Sequence, residues 1–214
     1  MDNELKIKRA YEYMLNVHQN EPTGHDVVHI ERVYNCALYI AQQEGIGNTL
    51  VIELVALLHD TVDYKLTDSQ LALKKLKHFF TTLKLSDEEL KQILYIIENM
   101  NYRGGKNNSV KLSAEGQIVR DADRLDAIGA IGIARTFQFA GHHGEPMWTE
   151  HEISFKDLKI EQIEHFDNSV IKHFYEKLLK LKDLMHTPYR KKTCRGKTSI
   201  YAIIFKTDFK GMEF

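Results

Sequence analysis

The fold is decided by residues 51–60, which read VIELVALLHD. The run from Val51 to Leu58 is almost entirely apolar, which predicts a buried helix, and His59 and Asp60 stand directly at its end. Burying this ionisable pair is costly unless something compensates for it, and a divalent cation does so most effectively. Imidazole nitrogen and carboxylate oxygen both suit Mn, Fe, Zn, Co or Ni. The stretch therefore predicts part of a metal site whose other ligands come from elsewhere in the chain.

Length and composition indicate an ordinary globular chain. The 214 residues can build one core, and 43% of them are hydrophobic and 28% charged, as in ordinary soluble proteins. A formal net charge of −1 predicts no affinity for nucleic acid or an anionic membrane. The polar N-terminus is unlike a secretion signal, and two cysteines, Cys36 and Cys194, do not make a disulfide framework. We expect a cytoplasmic location and no membrane span, and a homodimer stays open.

Hydrophobic periodicity predicts an all-α fold, with a single domain over residues 1–190. The predicted helices cover residues 4–18, 25–44, 51–58, 68–81, 87–100, 115–139 and 160–186. Capping-box patterns at 67–70 and 86–89 mark two helix starts. Gly129 and Gly132 fall inside the predicted helix over 115–139, where close packing of another helix is the expected reason. Loops are predicted over 102–113 and 141–148, and the second carries His142 and His143, which could cover a site or bind a further metal.

Three separated stretches offer metal-compatible side chains on predicted helices: His29, the His59–Asp60 pair, and Asp121 with Asp123. His29 heads the apolar stripe of the helix over 25–44, so it is expected on a buried face. Taken singly, a histidine here would be a core residue with one hydrogen bond, and an aspartate would pair with a neighbouring arginine. The order of a histidine, a histidine–aspartate pair and a later aspartate instead favours one shared metal ion.

This order resembles that of the HD-domain metal-dependent phosphohydrolases. The matching stretches are GHDVVHIERV (24–33), LLHD (57–60) and VRDADRLDA (119–127), and the likeness covers about residues 5–190. The wider phrase from Glu115 to Arg135 is similar to a small bacterial branch whose members of known activity resemble nucleoside triphosphate pyrophosphohydrolases. The resemblance implies an HD-domain helical bundle.

The resemblance implies that His29, His59, Asp60 and Asp123 hold one divalent metal ion. Mn²⁺ is the preferred ion, with Mg²⁺, Ni²⁺, Co²⁺, Fe²⁺ and Zn²⁺ as alternatives. Helical geometry does not choose between Asp121 and Asp123, because residues two apart point to different faces. The family phrase ADRL (122–125) favours Asp123.

The resemblance also implies catalytic roles for Asp63 and Lys65. Asp63 would orient the attacking water or act as a general acid–base, and Lys65 would bind a phosphate. His25 and Arg103 are further candidates for substrate binding. The plainer alternatives are a solvated helix-end lysine at position 65 and a helix-capping or surface histidine at position 25. Arg103 would in that case be an exposed loop charge, as would Lys106.

The predicted activity is metal-dependent hydrolysis of a nucleotide. Cleavage of a (deoxy)nucleoside triphosphate to the monophosphate and pyrophosphate is the first choice. A nucleoside monophosphatase or another phosphomonoesterase would use the same ligands. The alternative of another class is a regulatory ligand-binding module without turnover, and the combination of Asp63 and Lys65 with a full ligand set argues against it.

Residues 191–214 depart from the family pattern, because no helical stripe occurs where one more amphipathic helix is expected. We hypothesise that this segment is translated from a shifted reading frame, since moving one base in a back-translation of 205–214 can give a plausible helix end. Sequencing the gene tests this idea, and the absence of a nearby single-base insertion or deletion relative to close relatives removes it. The basic residues of the segment are expected to form a solvated tail.

Overall fold

The computed structural model describes residues 1–62, 69–107, 109–149, 160–163, 165–189 and 197. Helices form the regular structure of these residues and no strand occurs among them, which confirms the predicted all-α fold. In the same part of the chain, no helix combines the length and apolar character that crossing a membrane requires. The chain divides into two compact units, Met1–Glu21 with His25–Ala122, and Pro22–Gly24 with Asp123–Phe214. The single domain over residues 1–190 stays a prediction.

The first unit is built around the helix that VIELVALLHD predicts. Its helices are α1 (Asn3–His18), α2 (Val27–Glu44), α3 (Thr49–Leu58), α4 (Ser69–Thr81), α5 (Asp87–Asn99) and most of α6 (Ala114–Asp126). Eight of the ten residues of α3 are buried, because α1, α2 and α5 pack around it. A short 3-10 helix, His59–Val62, continues α3. The apolar helix therefore ends inside the core and delivers His59 and Asp60 there.

Side-chain caps fix where two helices of this unit begin. The Asp26 carboxylate accepts a hydrogen bond from the main-chain N–H of His29 at 2.8 Å, which places His29 in the first turn of α2. Ser86 and Glu89 form the predicted capping box at the start of α5. The other predicted box begins at Thr67, which lies outside the described residues.

The prediction of one helix over residues 115–139 is wrong, because the extended residue Ile128 separates α6 from α7 (Gly129–His143). Gly129 has a φ of +81°, a left-handed backbone conformation in which any residue other than glycine would be strained. At Gly132, a Cβ atom would lie 2.2 Å from the main-chain oxygen of Ala127. The local backbone conformation therefore requires both glycines, and hydrophobic periodicity alone does not show this.

The second unit also corrects the placement of His142 and His143, which lie in the last turn of α7 and not in a loop. Gly144 ends the helix with a left-handed φ of +67°, and its N–H donates to the oxygen of Ala140. The His143 ring stacks on Phe139, with ring centroids 4.1 Å apart. Both histidines are exposed at the helix end, so the predicted loop begins only after them.

The prediction of a last long helix over residues 160–186 is wrong as well. Its described part consists of short pieces: α8 (Ile160–Ile163), α9 (Val170–His173), a π-helix (Phe174–Leu178) and a 3-10 helix (Leu181–Leu184). Ser169 is extended and its side chain accepts a hydrogen bond from the N–H of Lys172, so a new helix has to start there. The apolar residues thus keep helical spacing across the point where the Ser169 cap starts a new helix.

The loop predicted over residues 102–113 contains a single 3-10 turn, Arg103–Gly105. Asn107 is buried and donates to the main-chain oxygen of Asn99 at 2.8 Å, which ties the loop to the end of α5. The tail over residues 191–214 lies outside the described residues apart from Lys197, whose Nζ donates to the oxygen of Leu125 at 3.0 Å. The shifted reading frame stays a hypothesis.

Candidate metal centre

Three imidazoles surround the carboxylate of Asp60 in the first unit. His25 Nδ1 donates to Asp60 Oδ2 at 2.9 Å, and His29 Nε2 lies 3.3 Å from the same oxygen. His59 Nε2 lies 3.4 Å from Asp60 Oδ1. One ligand atom each from His25, His29 and Asp60 lies within 4.8 Å of the other two, so these three residues could share a metal ion. The four residues form the His/Asp centre. They come from the segment just before the N-cap of α2 (His25), the first turn of α2 (His29) and the 3-10 helix that continues α3 (His59 and Asp60).

Hydrogen bonds orient the ring of His59 and hold the backbone of His25 in this centre. His59 Nδ1 donates to the main-chain oxygen of Ala56 at 2.8 Å, which fixes the tautomer and turns Nε2 toward Asp60. The backbone of His25 is held at both ends: its N–H donates to Glu21 Oε2 at 2.8 Å, and its oxygen accepts from His18 Nδ1 at 2.8 Å. His25 is thus fixed although it precedes the helix.

Burial and charge prepare Asp60 to act as a ligand. The rings of His29 and His59 are fully buried, and Asp60 is 4% exposed. Burial raises the pKa of the Asp60 carboxyl, but the charges of His59 and His25 and the hydrogen bonds from His25 and His29 outweigh it and hold this pKa well below its ordinary range. The carboxylate is therefore ionised at neutral pH, the form in which it binds a cation.

The donor set fits a divalent metal. Imidazole nitrogens with a carboxylate oxygen suit first-row ions from Mn²⁺ to Zn²⁺, and the buried helix α3 leads directly into two of these side chains, His59 and Asp60. A surface cluster of this composition would carry little meaning, whereas here two rings have no exposure to solvent. The His/Asp centre could therefore hold a divalent ion, and its donor atoms do not decide which one.

His18 is a member of the surroundings that the sequence argument missed. It ends α1, is 1% exposed, and donates from Nδ1 to the oxygen of His25. Burial lowers the pKa of His18, and the rings of His59 and His29 lower it further, while the Asp60 carboxylate opposes them. The sequence did contain an indication of this role. The buried residues of α1 are spaced four apart (Lys6, Ala10, Met14 and His18), and His18 is the last of them.

The predicted fourth ligand, Asp123, lies on α6 and belongs to the second unit. It is half-buried, whereas Asp121 on the same helix is fully buried in the first unit. The choice of Asp123 as a ligand stays a prediction.

The other predicted site residues fall into two groups. Asp63 and Lys65 lie outside the described residues, so their catalytic roles stay predictions. Arg103 is exposed, has a strained φ of +42°, and donates from its guanidinium to the main-chain oxygen of Glu98 at 2.9 Å. Lys106 is exposed. The structure thus places His25, predicted to bind substrate, inside the His/Asp centre, and places Arg103 on the end of α5.

Comparison with protein families finds one matching model, described as HD domain, over residues 27–128. This span contains His29, His59, Asp60 and Asp123, and it leaves His18 and His25 outside. The chain is also 36% identical over 187 residues to YpgQ of Bacillus subtilis (strain 168), which covers 86% of this chain and 83% of YpgQ.

Solved structures of similar proteins cover nearly the whole chain. A crystal structure from Lactobacillus plantarum has a TM-score of 0.86 and 33% identity, covering 99% of this chain and 100% of the other. Bacillus subtilis YpgQ in complex with ADP has a TM-score of 0.76 and 30% identity, covering 100% and 98%. An HD-superfamily hydrolase from Bacillus thuringiensis has a TM-score of 0.70 and 34% identity, covering 98% and 99%.

Proposed function

This chain belongs to the HD-domain family, and from that membership we propose that it is a metal-dependent phosphohydrolase acting on nucleotides. The observation that carries the proposal is the His/Asp centre, where His25, His29 and Asp60 offer ligand atoms within 4.8 Å of one another. A buried histidine beside an aspartate is common, but three imidazoles around one ionised carboxylate form a donor set in which a bound cation could replace the protons of the rings. Metal binding is thus the function that these side chains fit best.

The residues would divide the work as follows. His29, His59 and Asp60 would hold the ion together with Asp123, and the ion supplies a lowered pKa for water and polarisation of a phosphoryl oxygen when it is bound. Asp63 would orient water or move its proton, since a carboxylate near the reacting oxygen manages proton transfer well. Lys65 would bind a phosphate oxygen with its positive charge.

Two arguments support a nucleotide as the substrate. YpgQ, 30% identical over the full length of this chain, crystallised in complex with ADP. The sequence over residues 115–135 resembles a branch of triphosphate pyrophosphohydrolases. From this resemblance we infer the reaction, which is cleavage of a (deoxy)nucleoside triphosphate to the monophosphate and pyrophosphate. We propose Mn²⁺ as the preferred ion, one of several that a mixed imidazole and carboxylate site accepts.

The test is to incubate the full chain, loaded with each divalent ion in turn, with nucleoside mono-, di- and triphosphates and to identify the products. Pyrophosphate with monophosphate is expected from triphosphates, with Mn²⁺ the best activator. Release of orthophosphate alone would replace this reaction with a phosphomonoesterase. Binding of nucleotides without any product would favour the regulatory module, the alternative of another class.

A further inference from the structure

One ring nitrogen beside the His/Asp centre has no partner in the part of the chain that the structure describes. His18 is 1% exposed, and its Nε2 has no hydrogen-bond partner among the residues that the structure describes. Its Nδ1 carries the proton, because it donates to the oxygen of His25 at 2.8 Å. Nε2 of the neutral ring is therefore an acceptor, and a buried acceptor without a donor costs about 1–3 kcal/mol. Such an atom calls for a donor from outside the described residues.

The position of His18 indicates which partner. The Asp60 carboxylate and the rings of His59 and His29 act electrostatically on the His18 ring, so it lies beside the centre. The group of ligand atoms within 4.8 Å that His25, His29 and Asp60 form does not include His18. A direct bond to the same ion is thus not what its geometry favours, and an O–H donor held next to the ion would satisfy it.

We propose that His18 is a further binding residue of the centre, whose Nε2 accepts a hydrogen bond from a water molecule held beside the bound cation. The proposal rests on the proposed metal binding and not on the identity of the substrate. If His18 served only to hold the backbone of His25, its Nδ1 would be sufficient. An asparagine could donate the same hydrogen bond to the oxygen of His25 and would bury no second ring nitrogen. The buried Nε2 is what separates the two roles.

Two substitutions separate those roles. His18→Asn keeps an N–H donor near the position of Nδ1 and removes Nε2, whereas His18→Gln places its amide oxygen near the position of Nε2 and loses the donor to His25. Titration of Mn²⁺ into the full chain by calorimetry measures the effect. We expect His18→Asn to bind Mn²⁺ about 10- to 100-fold more weakly, as for other residues that act one shell beyond a metal. We expect a smaller loss for His18→Gln.

His173→Asn is the matched control, because His173 also binds its partner through Nδ1 but belongs to the second unit. Its Mn²⁺ affinity should equal that of the unmodified chain. Unchanged affinity of His18→Asn, or a larger loss in His18→Gln than in His18→Asn, would overturn the role of Nε2 and leave the metal centre standing. Failure of the unmodified chain to bind Mn²⁺ would overturn the centre itself.

Nuclear magnetic resonance of the unmodified chain provides a second test that does not depend on a variant folding. Long-range ¹H–¹⁵N spectra of the histidine rings should show His18 protonated at Nδ1 before and after addition of Zn²⁺, a diamagnetic ion. The Nε2 resonance should shift on addition as its new hydrogen bond forms. An Nε2 resonance that does not move, or a proton on Nε2, would overturn the proposal.

Discussion

Two histidine–carboxylate pairs in the described part of the chain have nearly equal lengths and very different surroundings. In the first unit, His25 Nδ1 lies 2.9 Å from Asp60, and in the second, His173 Nδ1 lies 3.0 Å from Glu176. Asp60 has two more imidazoles within 3.4 Å, and its partners come from separate segments of the chain. Glu176 is one turn from His173 on the same helical segment, and both side chains are 31% exposed.

The difference shows that the length of an ion pair says little about function. Around Glu176 the other charges are those of Lys172 and Lys177, which would repel a cation. Around Asp60 they are imidazoles, which become neutral ligands once a cation replaces their protons. Convergence of ligands from distant segments into a buried volume therefore distinguishes a metal centre from a surface pair.

The largest difference between the two pairs is expected when each carboxylate is replaced by the isosteric amide. Asp60→Asn should weaken Mn²⁺ binding by at least about 100-fold and reduce nucleotide turnover to background, because it removes the anionic ligand. Glu176→Gln should change neither by more than about 2-fold, because this half-buried pair lies outside the His/Asp centre. Calorimetry and a product assay measure both. Equal turnover in the two variants would remove the distinction between the pairs.

The next largest effect separates metal binding from catalysis. Asp63→Ala should reduce turnover by about 100- to 10,000-fold, the range for a general acid–base. Its Mn²⁺ affinity should stay that of the unmodified chain. Asp87→Ala, at an exposed position in the first turn of α5, is the control and should keep full turnover. Full activity of Asp63→Ala would refute the role assigned to this carboxylate.

Stabilisation by the ion gives a smaller, purely thermodynamic readout. Mn²⁺ at 100 times its dissociation constant should stabilise the folded chain by about 2.7 kcal/mol. For a chain of this size that corresponds to a rise in Tm of about 5–10 °C. Thermal unfolding should show the rise in His173→Asn, lose it in Asp60→Asn, and reverse on addition of a chelator. A rise that persists in Asp60→Asn would place the ion elsewhere.

The smallest effect belongs to the surface pair and depends on pH. Burial raises the pKa of Glu176, but the hydrogen bond from His173 and the charges of Lys172 and Lys177 outweigh it and lower the pKa below 4.5. The pair therefore stabilises the fold above pH 4.5 and loses this contribution as the pH falls through the lowered pKa. Urea unfolding at pH 7 should show Glu176→Gln less stable by about 0.5 kcal/mol. The difference should shrink in acid, and a constant difference would contradict the assignment.

The sequence was sufficient where one physical signal dominated. The helix over residues 51–58 was predictable because its apolar side chains leave no face for solvent, and the capping box at Ser86 because two side chains specify it locally. The break before Gly129 was not, because a glycine within a helical pattern does not show whether its φ is positive. The short helices after residue 160 kept the apolar spacing of one long helix, although the cap at Ser169 starts a new helix within it.

The centre was predictable in part for the same reason. His29, His59 and Asp60 stand in apolar surroundings that make an ionisable group conspicuous. His25 was noticed, but its hydrogen bond to Asp60 depends on how Glu21 and His18 hold its backbone, a contact between segments that spacing does not encode. His18 carried a signal of its own, a polar residue at the end of a buried stripe, and no motif drew attention to it.

The close approach at Gly132 has a consequence for laboratory evolution of this protein. A β-carbon there would collide with the Ala127 oxygen at 2.2 Å, so even alanine requires the chain to be rebuilt between α6 and α7. At Gly141, nine residues later on the same helix, an added Cβ atom meets nothing within 4 Å, so every side chain except the helix-breaking proline fits there. A saturation library over α7 should thus return glycine alone at position 132 and nearly every residue except proline at position 141.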